Sequence, residues 1–102
     1  MQKNMEAISE IPIVYLLKLY ITGASPNSAK AVNNIKNICE KYLKNRYELE
    51  IIDIYQQPLL ATSEQIIALP LLIKSSPLPA KRLIGNMSDI QKVLTSLALN
   101  EN

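Results

Sequence analysis

Residues 13–44 read IVYLLKLYITGASPNSAKAVNNIKNICEKYLK, and this stretch decides the fold. Its first part, residues 13–21, is almost continuously β-branched, aromatic or aliphatic, which is typical of a central strand buried on both faces. Ser25 then suits a helix N-cap, and Pro26 suits the first helical position, where no N–H is needed. Apolar residues recur behind it at helical spacing, so the pattern predicts a helix from about Pro26 to Lys44.

The middle of the chain predicts a second strand and a short helix. In residues 47–55 apolar residues are interleaved with acidic ones, which predicts a strand. A strand–helix–strand unit of this length places its two strands in parallel. Pro58 opens a short helix through Leu60, Ala61, Glu64, Ile67 and Ala68. Its apolar pattern is interrupted by Thr62 and Ser63.

The last third predicts a hairpin and a final helix. Residues 69–74 and 81–84 are strands separated by a short proline-rich turn, so they pair antiparallel, with Pro70 near the start of the first. Gly85 ends the second strand, and Ser88 is the predicted N-cap of the last helix. The apolar face of this helix carries Ile90, Val93, Leu94, Leu97 and Ala98.

This order of elements, βαβ, a short helix and then ββα, is the order of the thioredoxin-like fold. The predicted class is therefore α/β, with a mixed four-stranded sheet flanked by helices. Residues 1–11 are polar and unpatterned, which predicts a flexible N-terminal tail before a single domain at residues 12–100. The tail has no apolar core like that of a signal peptide, so we expect a cytoplasmic protein.

Composition excludes several chemistries. The 102 residues include no histidine and one cysteine, Cys39, so imidazole catalysis, a CxxC dithiol and an intramolecular disulfide are ruled out. Two glycines are too few for a phosphate-cradling loop, and a net charge of +2 does not argue for nucleic acid. No apolar run is long enough to span a membrane. We therefore expect no cofactor, no metal, and neither a nucleic-acid nor a membrane partner.

The sequence resembles the KaiB family of small circadian-clock proteins. The segment YLLKLYITGASPNS at residues 15–28 is similar to the family's LKLYVAG strand, which runs into a TPNS helix start. The similarity covers residues 14–97 in one register. It continues through residues 52–53, 57–58, 68–70, 77–79, 82–85 and 88.

This resemblance implies a non-enzymatic adaptor. A KaiB-like protein binds a KaiC-like, RecA-type ATPase hexamer and modulates its state in circadian or stress and timing signalling. The family is also known for two folds of one sequence, so the resemblance allows self-association into a dimer or tetramer. It further implies a cis peptide bond before Pro70, as in other thioredoxin-like proteins.

The resemblance places the partner contacts on the loop after the second strand, the short second helix and the neighbouring strand ends. The candidate residues are Tyr55, Gln56, Gln57, Gln65, Lys74, Lys81 and Arg82. The residues expected to have structural roles are Ser25, Pro26, Pro70 and Gly85. Ser96 and Ala98 stand where cyanobacterial members have glycine and aspartate, and they favour one continuous C-terminal helix and hence the thioredoxin-like form.

The sequence is also compatible with two other functions. One is a thioredoxin-like redox or stress protein, which would depend on Cys39 and an intermolecular partner. The residues at the usual position of a thioredoxin dithiol, 24–27, contain no sulfur, and Cys39 lies on the apolar stripe of the first helix, where a buried, inert thiol is expected. The other is a sensory domain of the SasA type that feeds a histidine kinase.

Overall fold

The computed structural model describes residues 13–66 and 68–99. The predicted tail at residues 1–11, Pro12 and Ile67 lie outside this range. The elements of the described chain are β1 (Tyr15–Ile21), α1 (Pro26–Tyr42), β2 (Tyr47–Asp53), α2 (Leu59–Ser63), β3 (Leu71–Ser76), β4 (Lys81–Ile84) and α3 (Ile90–Ser96). Their order confirms the predicted βαβ-α-ββα arrangement.

The four strands form one mixed sheet in the order β2-β1-β3-β4. β1 and β2 are parallel, whereas β3 is antiparallel to both β1 and β4, as the connection lengths predict. β1 begins at Tyr15, two residues later than predicted, because Tyr15 pairs with Tyr47, the first residue of β2. The Tyr15 N–H donates to the Arg46 carbonyl at 2.8 Å.

The prediction that β1 is buried on both faces is wrong for half of its length. Tyr15, Leu17 and Leu19 pack into the large core beneath α1 and α3, and on the other face Tyr20 packs into a smaller core beneath α2. Leu16, on that second face, is 39% exposed. Because α2 has only five residues, it covers one end of this face and leaves the other end uncovered.

α1 is held by its cap and by its apolar stripe. The Ser25 hydroxyl accepts a hydrogen bond from the Ser28 N–H at 3.1 Å, and Pro26 occupies the first turn, so both predicted structural roles are confirmed. Ala31 and Ile35 are fully buried on the core side. Burial of the Ile35 side chain contributes about 1.5–3 kcal/mol. The helix ends at Tyr42, two residues before the predicted end.

The boundaries in the middle of the chain differ from the predicted ones. Thr62 and Ser63 belong to α2, while Glu64 is its C-cap rather than part of its apolar face. β2 ends at Asp53 because the backbone turns there, and β3 spans residues 71–76 instead of 69–74. The peptide bond between Leu69 and Pro70 is cis, as the resemblance implies.

The N-cap of α3 is Asp89, so the prediction that Ser88 caps this helix is wrong. The Asp89 carboxylate accepts a hydrogen bond from the Lys92 N–H at 3.1 Å. The Ser88 N–H instead donates a hydrogen bond to Asn86 Oδ1, in the turn that follows β4. Of the predicted apolar face, Val93, Leu94 and Leu97 are buried, whereas Ile90 is 39% exposed.

The predicted continuous C-terminal helix is also wrong. α3 ends at Ser96, and Ala98 adopts a left-handed conformation with φ of 60°. The Leu99 N–H donates to the Leu94 carbonyl at 2.8 Å and the Ala98 N–H to the Thr95 carbonyl at 3.1 Å, which is the paired bonding of a Schellman motif. This reversal lets Leu99 pack against the core beside Leu97, so burial outweighs the helix propensity of alanine.

Candidate protein-binding surface

The loop after β2 is fixed by the Asp53 carboxylate. Its Oδ1 accepts hydrogen bonds from the Gly23 N–H at 3.0 Å and from the Tyr55 N–H at 2.9 Å, so it joins this loop to the loop after β1. Gly23 has φ of 53°, and a Cβ at this position would lie 3.4 Å from the Tyr55 ring. Glycine is therefore favoured here by the left-handed backbone conformation, while a Cβ would make only an ordinary van der Waals contact with the ring.

Two large apolar side chains project from this fixed loop into solvent. Tyr55 is 75% exposed and Leu59 is 84% exposed. Between them, Gln56, Gln57 and Pro58 are exposed as well, and a shallow groove follows the chain from Gln56 to Leu60. We call residues 55–59 the Tyr55–Leu59 surface.

α2 supports this surface from below. Leu60 and Ala61 pack against Tyr20, Ile52 and other residues of the smaller core, so the helix turns Leu59 outward. The Tyr20 hydroxyl is buried there without a hydrogen-bond partner among the described residues. Burial, and then the neighbouring negative charges of acidic side chains, raise the pKa of Tyr20.

Gln65 and Arg82 come together at the far end of α2. The Arg82 guanidinium donates hydrogen bonds to the main-chain carbonyls of Glu64 and Gln65, so it ties this end of the helix to β4. Gln65 is exposed and left-handed, with φ of 56°. Lys81 is exposed on β4. The candidate residues Tyr55, Gln56, Gln57, Gln65, Lys81 and Arg82 are thus accessible, although Arg82 also has a structural role.

The predicted partner-contact residue Lys74 is buried, so the prediction that it is accessible to a partner is wrong. It is only 2% exposed and lies on the face of the sheet covered by α1 and α3, with its Nζ 5.8 Å from the centre of the Tyr15 ring. Strand alternation explains this, because Lys74 follows Leu72 on the core face while Ile73 faces α2. Burial first, and then the positive charge of Lys81, lower the pKa of Lys74.

Sequence reasoning missed Leu59. The available signal was a leucine directly after Pro58 in a segment otherwise rich in glutamine. A helix of five residues cannot bury two successive leucines on one face, so one of Leu59 and Leu60 had to face outward.

The position occupied by a dithiol in thioredoxins holds hydroxyl groups here. The Ser25 hydroxyl donates to Ser28 Oγ at 2.8 Å, and Ser28 is buried. Cys39 is fully buried in the large core, and burial raises its pKa to about 12. At neutral pH the sulfur is a thiol, not a thiolate nucleophile. Among the residues described by the structure, no cluster of three or more histidine, cysteine or acidic residues could hold a metal ion.

This combination defines the fold class of the protein. A thioredoxin-like sheet and a cis-proline before β3, with hydroxyl groups at the position of the dithiol, describe a thioredoxin-like domain. No helix in the described part of the chain is both long and apolar enough to cross a membrane.

The chain belongs to the KaiB family. The family model of the KaiB domain matches residues 18–99. The circadian clock oscillator protein KaiB of Prochlorococcus marinus subsp. pastoris is 47% identical over 85 residues, which are 83% of this chain and 79% of that protein. KaiB of Synechococcus elongatus is 46% identical over 85 residues, which are 83% of each chain.

Solved structures confirm the thioredoxin-like fold. The N-terminal domain of Synechococcus elongatus SasA superposes with a TM-score of 0.68 at 24% identity and covers 90% of both chains. Chloroplastic thioredoxin z superposes with a TM-score of 0.67 at 17% identity, over 95% of this chain and 88% of that one. At these identities the likeness shows the fold alone.

Proposed function

We propose that this protein is a non-enzymatic adaptor that binds a KaiC-like ATPase ring through the Tyr55–Leu59 surface. Membership of the KaiB family supports the choice of partner. The observation that carries the choice of surface is the pair of exposed side chains, Tyr55 and Leu59, on a loop fixed by Asp53. Exposed aromatic and aliphatic side chains with polar neighbours are typical of protein interfaces.

The surface has the components of an interface anchor. Leu59 is nearly fully exposed, and its burial against a partner would contribute about 1.5–3 kcal/mol. Tyr55 adds apolar area and a hydroxyl group, while Gln56 and Gln57 offer donors and acceptors at the rim. Because Asp53 already orders the loop, little conformational entropy is lost when a partner binds.

Such an adaptor would act by differential affinity. It shifts the ATPase ring toward one conformation only if it binds that conformation more tightly than the others. No side chain of the adaptor needs to take part in chemistry. We place this complex in the cytoplasm, in circadian or stress and timing signalling.

The test is co-migration of the protein with a KaiC-like hexamer in size-exclusion chromatography, with and without ATP. We expect a complex in at least one nucleotide condition, and we expect Leu59→Asp to weaken it by at least about tenfold. The matched control is Leu78→Asp, because Leu78 is 82% exposed and lies in the turn between β3 and β4, away from the surface.

The absence of a complex under every nucleotide condition would contradict the adaptor role. Equal weakening by Leu59→Asp and Leu78→Asp would reject the Tyr55–Leu59 surface but not the adaptor. The elution volume of the free protein in the same experiment reports whether it forms the dimer or tetramer that the resemblance allows.

A further inference from the structure

A groove with a mixed lining runs between α1 and α3, on the face of the sheet opposite α2. Its apolar part is formed by Ile38, which is buried, by the half-buried Tyr42 and by Ile90, which is 39% exposed. Its polar part is formed by α1 side chains at positions 34, 37 and 41. These three positions are spaced as one row on the surface of a helix.

The polar row offers amide groups and a positive charge. The Asn34 side chain donates from Nδ2 to the Asn86 carbonyl at 2.9 Å, so its Oδ1 is left as an acceptor. Asn37 is exposed and its side chain has no hydrogen bond within residues 13–66 and 68–99. The Lys41 ammonium lies 5.2 Å from the centre of the Tyr42 ring, which places the charge beside the apolar part of the groove.

This helical layer carries more positive than negative charge, with four lysines and two carboxylates in residues 26–42 and 89–96. The two carboxylates of the layer are occupied: Glu40 accepts from the Tyr47 hydroxyl at 2.8 Å, and Asp89 accepts from the main chain as the α3 N-cap. None of the lysines of the two helices forms an ion pair with a carboxylate in the described part of the chain. These lysines are Lys30, Lys36, Lys41 and Lys92.

We propose that this α1–α3 groove binds an acidic peptide segment of a partner protein. One apolar side chain of the peptide would lie between Tyr42 and Ile90, and a carboxylate would pair with Lys41. The Asn34 Oδ1 suits a backbone N–H of the peptide, and the Asn37 carboxamide suits a backbone N–H and C=O, because it presents a donor and an acceptor in one plane.

The lining favours a peptide over a nucleic acid. Binding to a phosphate backbone depends on several lysine or arginine contacts along one face. Here Lys41 is the lysine of the groove, and its neighbours in the lining are carboxamides and apolar side chains. The groove lies across the sheet from α2, so the inference does not depend on the function proposed for the Tyr55–Leu59 surface.

The test is an NMR titration of the ¹⁵N-labelled full chain with a designed non-helical peptide of 16 residues that carries leucines flanked by glutamates. The control peptide has lysine at every glutamate position. We expect chemical-shift changes centred on the main-chain amides of Asn34, Asn37, Lys41 and Gln91, and binding of the acidic peptide alone.

Two charge reversals on α1 make the test specific. We expect Lys41→Glu to weaken binding by about five- to tenfold, since it replaces an attraction with a repulsion. Lys36 is an exposed lysine of the same helix that does not line the groove, and we expect Lys36→Glu to weaken binding by less than about twofold.

Four results would overturn the proposal: no shift changes at millimolar peptide, equal binding of both peptides, changes centred on residues 55–59, or equal weakening by both substitutions. Vesicles of anionic lipid that shift the same groove amides would assign the site to a membrane surface instead. Co-migration of Lys41→Glu with a KaiC-like hexamer, measured separately, distinguishes failure of this proposal from failure of the adaptor role.

Discussion

The ammonium group of Lys74 lies inside the protein, above the Tyr15 ring. Burial, and then the charge of Lys81, lower its pKa from the ordinary lysine value of 10.5. In the unfolded chain the group regains water, and its pKa returns toward that value. Between the two pKa values the unfolded state binds more protons, so the free energy of unfolding rises with pH in this window. Below the folded-state pKa, the cost of burying the charge is fully present.

We expect Lys74→Met to be more stable than the wild type at pH 7, because it keeps the apolar stem and removes the buried charge. The advantage should be smaller at pH 10 than at pH 7, because the lowered pKa lets the lysine of the folded wild type lose its proton at lower pH than in the unfolded chain. Urea unfolding at both pH values measures this difference. Lys36→Met, on the exposed side of α1, is the control. A stability difference that does not change with pH would contradict this account.

The left-handed conformation of Ala98 predicts a second effect on stability. A residue with a Cβ is strained at φ of 60°, and glycine is not. We expect Ala98→Gly to raise the free energy of unfolding by about 0.5–1 kcal/mol. Ser96→Gly, two residues earlier and still in α3, should lower it by up to about 1 kcal/mol. Opposite signs in urea unfolding confirm the helix end, whereas a loss of stability from both substitutions would mean that α3 continues through Ala98.

At the scale of the helix, α3 depends on one carboxylate for its start. Asp89 satisfies an N–H of the first turn that has no partner within the helix, and its negative charge is favourable at a helix N-terminus. This helix supplies Val93, Leu94 and Leu97 to the large core, so loss of its first turn weakens the packing of a whole layer.

We therefore expect Asp89→Ala to destabilise the protein by about 1 kcal/mol, and Ser88→Ala to change its stability by less than about 0.5 kcal/mol. Thermal unfolding of both variants measures the difference. A larger loss of stability in Ser88→Ala than in Asp89→Ala would contradict the assignment of Asp89 as the N-cap. That is the outcome that the sequence alone predicts.

α2 shows how an element can be placed by a distant residue. Its five residues are too few for a helix to be stable on its own. The Arg82 guanidinium bonds to the two carbonyls at its end, and Leu60 and Ala61 fill the smaller core. The candidate binding surface is therefore supported by β4, although its residues lie in the loop before α2 and at the first position of that helix.

For the molecule as a whole, the sequence predicted the order of elements and the strand directions, because these follow from apolar periodicity and connection length. It predicted α1 well, since Ser25 and Pro26 act locally. It failed where tertiary packing decided the outcome: Lys74 is inside because strand alternation places it there, and Ala98 reverses the chain because this buries Leu99. The residues of the candidate surface were mostly predicted through the resemblance, although Tyr55 is also a candidate as an aromatic side chain near a strand end.

The single cysteine has a practical consequence for work on this protein. Cys39 is fully enclosed by the core and its sulfur keeps its proton at neutral pH. Maleimide dyes and spin labels react with accessible thiolates, so the native chain should remain unlabelled under mild conditions. A new cysteine at an exposed position such as Asn37, in the α1–α3 groove, or Leu59, in the Tyr55–Leu59 surface, would then be the one reactive site, without any need to remove the native residue. Two singly labelled proteins, one for each proposed surface, would then report by fluorescence which surface a partner contacts.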